Sequence, residues 1–222
     1  MLNFVCDGIE RACALDSLIV AGWTGRDVAA LSHHIEELAK IGVPRPTSVP
    51  VFYRTSVNGL TQSTRLEVLG PHTSGEIEPV LFGIDGETFL GVGSDHTDRQ
   101  AETMGIALSK QLCGKPVGPH VWRYADVAAH WDKLIIRSWA TNDGKRELYQ
   151  EGALAAMRRP EELLQLYNGS SRLAAGAAMF CGTVGAIVGI RPANRFEMEL
   201  EDPVLNRKLS HEYDIVDLPV VS

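Results

Sequence analysis

Two glutamates separated by one residue, Glu76 and Glu78, are the first residues whose types and spacing indicate chemistry. Residues two apart on a β-strand project from the same face, so the two carboxylates would lie side by side. The apolar run Pro79-Val80-Leu81-Phe82 follows and predicts burial. A buried carboxylate pair needs a cation, a proton or a basic partner, although alternating glutamates on a solvent-facing strand are the simpler explanation of the pair alone.

Asp95 supplies a third carboxylate, at a predicted junction between a strand and a helix. Hard divalent cations take such carboxylate sets and keep coordination positions for water and substrate. The alternative is that Asp95 or Thr97 is an ordinary helix N-cap. The three carboxylates together predict a site for Mg²⁺ or Mn²⁺, with Ca²⁺ as a further alternative.

His34 and Glu37 form a second constellation, three residues apart on a predicted helix. At this spacing a carboxylate can orient an imidazole and stabilise its charged form, which suits a general base. His33 and Glu36 have the same spacing, and a surface helix rich in His and Glu is the unremarkable explanation of both pairs. We prefer His34 because it borders the apolar stripe of that helix.

Two further features indicate groups that would bind a substrate carboxylate. Lys110 lies near the C-terminus of a predicted helix, where a lysine usually just complements the helix dipole. Gly182-Thr183 would offer backbone and hydroxyl donors, but glycine-rich strand ends are most often turns.

The elements that must position these residues are mostly strands. A helix is predicted from Thr24 or Asp27 to Gly42, with Val28 and Leu31 in its apolar stripe. Strands are predicted at 51–53, 65–69, 76–84, 89–92, 133–140, 147–149, 176–184, 195–200 and 212–216, with a hairpin turn at Asp85-Gly86. Helices are predicted after Thr97 and from Arg159-Pro160. The fold class is therefore α+β and strand-rich, without a regular βαβ alternation.

The composition is that of a globular protein: 222 residues, 45% hydrophobic and 22% charged, with a net charge of −7. This charge argues against nucleic acid as a partner, and no apolar run is long enough for a membrane span. The four dispersed cysteines and the N-terminal sequence favour a reduced, cytoplasmic protein. A single domain is expected over 1–222, with the helix of His34 in 1–48 and the metal-binding strands in 49–222.

Taken in order, these segments resemble the fumarylacetoacetate hydrolase superfamily from about Ile19 to Ile215. The matching motifs are Gly25-Arg26-Asp27, His34-Ile35-Glu36-Glu37-Leu38, Val49-Pro50-Val51-Phe52-Tyr53, Glu76-Ile77-Glu78, Asp95-His96-Thr97-Asp98-Arg99, Lys110 ahead of Pro116-Val117-Gly118-Pro119, Asn142-Asp143-Gly144, Tyr149-Gln150-Glu151-Gly152 and Gly182-Thr183.

The resemblance implies a β-roll of mixed sheets with a few helices, like the C-terminal domain of that superfamily, usually as a homodimer. It implies that Glu76, Glu78 and Asp95 bind Mg²⁺, and that Lys110 faces the substrate. Arg99, Tyr53, Gly182 and Thr183 are the positions that match its substrate-binding residues. The segment between Glu78 and Asp95 is shorter than usual and the lysine after the Pro-x-x-Phe strand is missing, which indicates an outlying branch.

The function predicted from these residues is metal-dependent hydrolysis of a carbon–carbon bond in a small 2-oxo or 1,3-dicarbonyl carboxylic acid such as an acylpyruvate. The metal would stabilise the enolate, and His34, oriented by Glu37, would activate water. The same site suits a decarboxylase, an isomerase or a dehydratase of a 2-oxo acid. A module that has kept the fold and lost turnover is the alternative from another class.

Overall fold

The computed structural model describes residues 1–29, 31–32, 35–36 and 45–221. Its strands are β1 (Leu2–Cys6), β2 (Ile9–Cys13), β3 (Ser17–Gly22), β4 (Val51–Thr55), β5 (Leu60–Thr61), β6 (Arg65–Leu69), β7 (Thr73–Ser74), β8 (Ile77–Ile84), β9 (Glu87–Ser94), β10 (Thr97–Asp98), β11 (Lys115–Pro116), β12 (Trp122–Arg123), β13 (Ile135–Asn142), β14 (Lys145–Ala153), β15 (Ala177–Phe180), β16 (Arg195–Asp202) and β17 (Arg207–Leu218).

The helical segments are fewer and shorter. They are α1 (Arg99–Glu102), α2 (Ile106–Leu112), α3 (Tyr124–Val127) and α4 (Pro160–Asn168), with 3₁₀ turns at Val57–Gly59, Ala128–Lys133 and Leu154–Ala156. Residues 28–29, 31–32 and 35–36 are also helical. Among the helices of these described ranges, none is long and apolar enough to cross a membrane.

Two large mixed sheets form the frame. One has six strands in the order β12-β9-β8-β15-β3-β4, and the other has five in the order β14-β13-β16-β17-β6. Most neighbours are antiparallel, but β15 runs parallel to β3 and β17 parallel to β6. The predicted fold class, a strand-rich α+β fold with mixed sheets and few helices, is confirmed.

The six-stranded sheet is buried on both faces, which explains the unbroken apolar run of β8. Ile77 and Leu81 belong to the large cluster that also holds Phe196 and Met198 of the five-stranded sheet. Val80 and Phe82 point the other way, into a second cluster that includes Phe4 of β1. The five-stranded sheet has one buried face, so β16 alternates buried and half-buried residues, as strands with one wet face do.

The hairpin of β8 and β9 fixes the register on which the site depends. Asp85 and Gly86 both have positive φ, 51° and 81°, as a two-residue hairpin turn requires. This turn pairs Ile84 with Glu87 and, at the far end, Ile77 with Ser94. The predicted turn is confirmed, and it accounts for the short segment between Glu78 and Asp95.

Several predicted boundaries differ from the structure. The strand predicted at 176–184 ends at Phe180, and the helix predicted after Thr97 is two helices, α1 and α2, on either side of Gly105. Val28 is 64% exposed, so the predicted apolar stripe is wrong at its first residue, which lies in the first turn beside Asp27. Leu31 is half-buried.

Candidate metal centre

One edge of the six-stranded sheet collects most of the residues singled out from the sequence. Because β15 is parallel to β3 and antiparallel to β8, the carboxyl ends of β3 and β15 meet the amino end of β8. The carboxyl end of β9 joins them, since β9 is antiparallel to β8. Residues immediately outside these four strand ends are therefore close together although they are far apart in the chain.

Glu76, Glu78 and Asp95 converge at this edge. Each offers a carboxylate oxygen, and the three oxygens lie within 4.8 Å of one another. The β8–β9 register continues one residue past the strands, with the Asp95 amide donating to the Glu76 carbonyl at 2.9 Å. Thr97 and Asp95 do not cap a helix; the side chain of Asp98 does, by accepting from the Ala101 amide at 2.9 Å.

Glu78 is more deeply buried than Glu76, with 3% of its surface exposed. Its Oε2 accepts a hydrogen bond from the Gly182 amide at 2.7 Å. Gly182 has φ of +100°, and a Cβ there would lie 1.8 Å from Thr24 Oγ1, so only glycine fits. Burial, and then the charges of Asp95 and Glu76, raise the pKa of Glu78 well above its ordinary value.

Asp95 is paired with two lysines. Lys110 Nζ contacts its Oδ2, and Lys115 Nζ lies 3.0 Å from its Oδ1. Burial alone would raise the pKa of Asp95, but the two ammonium groups hold it well below its usual value. Burial would likewise lower the pKa of Lys110, yet the carboxylates of Asp95 and Glu76 raise it, so Lys110 is a cation at neutral pH.

Glu76 is paired with Arg99, whose Nη2 lies 3.1 Å from Glu76 Oε1. Arg99 is fixed by two further contacts, from its Nε to Ser74 Oγ at 2.7 Å and from its Nη1 to Glu102 Oε2 at 3.2 Å. Lys110 Nζ approaches the other oxygen of Glu76 at 4.0 Å. Three cations, Arg99, Lys110 and Lys115, thus surround the three carboxylates. None of the three forms an ion pair with Glu78.

The residues present fit a hard divalent cation. Asp95 Oδ1 is buried, and the cation nearest to it among the described residues is the Lys115 ammonium, 3.0 Å away. Glu78 is a buried carboxylate without an ion pair among the described residues, and the charges of Asp95 and Glu76 oppose its ionisation. A divalent cation held by Glu76, Glu78 and Asp95 would compensate the charge of Glu78.

Gln150 ties the supporting elements together behind the site. Its Oε1 accepts from the Ile77 amide and from Ser138 Oγ, both at 3.0 Å. Its Nε2 donates to Thr183 Oγ1 at 2.8 Å and to the Val184 carbonyl at 2.6 Å. This buried amide therefore links β8, β13 and β14 to the loop that carries Gly182, which holds the Gly182 amide on Glu78.

His96, next to Asp95 in the chain, is a structural residue and not a base. Its Nδ1 lies 2.9 Å from Tyr213 Oη and its Nε2 lies 2.8 Å from Thr73 Oγ1, so both ring nitrogens are engaged. Burial, together with the charges of Lys115 and Arg99, lowers its pKa to about 3. The ring is neutral at physiological pH and holds the segment after β9 against β17.

A cleft of about 740 Å³ opens in front of Glu76 and Glu78, and Asp95 is fully buried next to them. The predicted site residues on its wall are Tyr53, Glu76, Glu78, Arg99, Lys110, Gly182 and Thr183. Lys110 Nζ lies 5.9 Å from the centre of the Tyr53 ring. Thr183 turns its hydroxyl inward, donating to the Ile77 carbonyl at 2.6 Å, so it supports the wall and offers little to a ligand.

The proposed base lies outside the described residues. His34 and Glu37, and the alternative His33, are not in the ranges that the structure describes; Glu36 is, and it is exposed on the helix. Leu31, three residues before His34, lines the cleft. The general-base assignment stays a prediction.

Sequence reasoning missed the role of Lys115 and Gln150. Lys115 belongs to none of the motifs identified from the sequence, yet it is 1% exposed and paired with Asp95. No local pattern marks a buried lysine, since its burial depends on contacts with distant parts of the chain. Gln150 belongs to one of the motifs that carry the resemblance. Its position in the sequence does not reveal that its side chain makes four hydrogen bonds.

Solved structures with this fold are enzymes of the fumarylacetoacetate hydrolase superfamily. One, from Oleispira antarctica, is provisionally assigned as a fumarylacetoacetate isomerase/hydrolase; it is 16% identical, with a TM-score of 0.65, over 97% of this chain and 100% of that one. A 2-keto-3-deoxy-D-arabinonate dehydratase complexed with magnesium and 2,5-dioxopentanoate is 16% identical, with a TM-score of 0.61, over 92% and 74%.

A third, the 4-oxalocrotonate decarboxylase of Pseudomonas putida G7 complexed with calcium and acetate, is 13% identical, with a TM-score of 0.58, over 90% of this chain and 78% of that one. The resemblance to the superfamily is confirmed at the level of the fold. The chain itself belongs to the family described as "Protein of unknown function (DUF2848)", whose model matches residues 21–213. No curated protein matches the sequence.

Proposed function

We propose that this protein is a divalent-metal-dependent enzyme that cleaves a carbon–carbon bond in a small 2-oxo or 1,3-dicarbonyl carboxylic acid by hydrolysis. The observation that carries the proposal is the convergence of three carboxylates within 4.8 Å of one another, two of which, Glu76 and Glu78, line a cleft that also holds the buried Lys110. Glu76, Glu78 and Asp95 would hold Mg²⁺, with Mn²⁺ or Ca²⁺ as alternatives. The bound ion would supply Lewis acidity towards the substrate's carbonyl oxygens.

Lys110 is the residue proposed to bind the substrate carboxylate. It is fixed by Asp95 and Glu76 and lies on the cleft wall, so its position is set before a ligand arrives. Its raised pKa keeps it charged. A preorganised ammonium of this kind binds a carboxylate without the reorganisation that a flexible surface lysine would need.

Tyr53 is proposed to donate a hydrogen bond to the substrate from the part of the cleft wall beside Lys110. Burial raises the pKa of its phenol, so the hydroxyl keeps its proton at neutral pH. The ring lies beside Lys110 and gives the cleft an apolar side. Water activation is assigned to His34, oriented by Glu37, and this step distinguishes hydrolysis from the other reactions.

A lyase is the second candidate function. The part of the cleft wall formed by described residues holds carboxylates, Arg99, Lys110 and Tyr53, but no imidazole. Decarboxylation or dehydration of a 2-oxo acid needs no activated water, so these residues would suffice. The cleft residues of the proposed hydrolase and of the proposed lyase are otherwise the same.

The test is turnover of a panel of acylpyruvates, oxaloacetate and sugar-derived 2-oxo acids with added Mg²⁺ or Mn²⁺. Hydrolysis of an acylpyruvate yields two carboxylic acids and takes up one oxygen from ¹⁸O-labelled water, whereas a decarboxylase releases CO₂. We expect ¹⁸O incorporation by the wild type and its loss in His34→Ala. Release of CO₂ or loss of water, unchanged in His34→Ala, would replace the hydrolase with a lyase.

The homodimer is likewise a proposal, and light scattering with the purified protein tests it directly. A single species with twice the mass of 24.2 kDa is the expected result. A monomer that retains turnover would refute the dimer and would show that the pocket needs no second subunit.

A further inference from the structure

The cleft in front of Glu76 and Glu78 is larger than a 2-oxo acid group needs, and much of its wall is apolar. Its volume of about 740 Å³ lies in the range of pockets that enclose drug-sized ligands. The wall residues that the proposed function does not use include six apolar ones: Trp23, Leu31, Ile106, Val184, Ala186 and Ile190. A ligand bound only through its 2-oxo acid group would leave this apolar surface in water.

Part of the apolar wall begins beside Lys110. Ile106 and Lys110 are four residues apart on α2 and both line the cleft, so their side chains lie on one face of the helix, one turn apart. Lys110 is buried and Ile106 is half-buried. Leu108, between them in the chain, is 43% exposed and does not line the cleft. A carboxylate held by Lys110 therefore has an apolar side chain within about one helical turn, roughly 5 Å.

The loop after Gly182 adds two further apolar side chains, Val184 and Ala186. Both are half-buried and pack against the large hydrophobic cluster. Val184 lies so close to Gly152 that a Cβ there would be 2.8 Å from Val184 Cγ1, and Ala186 forms a β-bridge with Gln150. The apolar wall is therefore held in place before a ligand arrives.

The cleft offers no spare cation for a second carboxylate on the part of its wall that the described residues form. The cations there are Lys110 and Arg99. Lys110 is assigned to the first carboxylate, and Arg99 is already paired with Glu76 at 3.1 Å and with Glu102 at 3.2 Å. Glu102 itself lines the cleft and adds negative charge. A second carboxylate would lose water without gaining a partner, so the wall favours an uncharged group.

We propose that the preferred substrates are 2-oxo acids with an uncharged, apolar substituent, and that Ile106, Val184 and Ala186 bind this substituent. The inference rests on the proposed function for the orientation of the ligand, whose 2-oxo acid end lies at Glu76, Glu78 and Lys110. The substituent covers the apolar wall, so each methylene group that leaves water strengthens binding. A terminal carboxylate on the same chain reverses this gain.

The test measures binding and not turnover. Titration calorimetry with Mg²⁺ present compares linear 2-oxo monoacids of three to eight carbons with 2-oxo diacids of five to eight carbons, none of which has a 1,3-dicarbonyl bond to hydrolyse. For the monoacids we expect the Kd of the wild type to fall about two- to fourfold with each added methylene group. Each diacid should bind at least about tenfold more weakly than the monoacid of equal length.

Three variants make the test specific. Ile106→Asn should abolish most of the gain with chain length and bind pyruvate as the wild type does. Leu108→Asn is the matched change on the same helix, away from the cleft, and should keep the wild-type dependence. Val184→Thr keeps the shape of the side chain and adds a hydroxyl, so it should also reduce the gain, and it remains informative if Ile106→Asn does not fold.

The inference is overturned if the affinity of the wild type does not depend on chain length, if diacids bind as tightly as monoacids, or if no 2-oxo acid binds. Wild-type dependence on chain length in Ile106→Asn, or in Val184→Thr where Ile106→Asn does not fold, would overturn it as well.

Failure of the proposed reaction is a separate result. A dependence on chain length that is lost in these variants, without turnover of any acylpyruvate, would keep the apolar site and reject the hydrolase. Turnover of acylpyruvates with an affinity that is independent of chain length would do the reverse.

Discussion

Two of the carboxylate clusters among the described residues have three members each around basic groups and can be compared directly, and of these two only the one in the cleft has the properties of a metal centre. Glu76, Glu78 and Asp95 converge at the edge of the six-stranded sheet. Glu151, Glu199 and Glu201 lie on the outer face of the five-stranded sheet around Arg137, with which each forms an ion pair. The two clusters have similar composition but differ in burial and in how each charge is compensated.

The difference is clearest in the pKa of one glutamate from each cluster. Arg137, through a hydrogen bond, lowers the pKa of Glu201, a carboxylate that is 24% exposed. Burial raises the pKa of Glu78, which has no ion pair in the described residues. The surface cluster is thus satisfied by its own arginine and by water, whereas the cleft cluster is left with a charge that needs a further cation.

Removal of a ligand from the cleft cluster should have the largest effect. Glu78→Gln keeps the shape and removes the charge, so Mg²⁺ or Mn²⁺ affinity should fall by at least about 100-fold. Glu199→Gln is the matched change in the surface cluster and should leave metal affinity unchanged. Equal metal binding by Glu78→Gln and the wild type in titration calorimetry would contradict the assignment of Glu78.

The two clusters also contain lysines that can be compared. Lys110→Met should lower turnover by about 100-fold, because it removes a preorganised donor from the cleft. Mg²⁺ affinity should not fall, since the variant removes a positive charge from beside the three carboxylates that would bind the ion. Lys208→Met, which removes the ammonium 3.1 Å from Glu199, should change neither quantity. Wild-type turnover in Lys110→Met would refute its role.

Two glycines with positive φ test the backbone support of the cleft. Gly182→Ala would place a Cβ 1.8 Å from Thr24 Oγ1, so unfolding free energy should fall by about 3 kcal/mol, with roughly tenfold weaker metal binding as the amide on Glu78 moves. Gly144 has no atom within 4 Å of a Cβ. Gly144→Ala should therefore cost about 1 to 2 kcal/mol from backbone strain alone and leave metal affinity intact.

The smallest effect is expected in the surface cluster itself. Arg137→Met should lower the free energy of unfolding by about 1 kcal/mol or less, because its partners are accessible to water. The loss measured by urea denaturation should shrink as salt is added. A much larger loss, insensitive to salt, would mean that the surface cluster is as dependent on its cation as the cleft cluster.

The three candidate metal ligands could be predicted from the sequence because the patterns that identify them are local. Glu76 and Glu78 are two residues apart before an apolar strand, and Asp85-Gly86 sets the register that places Asp95 opposite Glu76. The fold class followed from the strand pattern, and the order of the motifs added the superfamily. These features depend on neighbours in the chain and on one hairpin.

What the sequence did not reveal depends on distant contacts. The burial of Lys115 follows from packing of β11 behind Asp95, and the role of Gln150 follows from four elements meeting at one amide. Gly182 was identified as a donor, but its position on Glu78 and its contact with Thr24 required the fold.

The most direct test of the central claim is a crystal structure of the protein grown with Mn²⁺ and measured at the manganese absorption edge. The account predicts one strong anomalous peak within coordination distance of Glu76, Glu78 and Asp95, absent in crystals of Glu78→Gln. A wild-type crystal without a peak among these three carboxylates, or with its strongest peak at the surface cluster around Arg137, would contradict it.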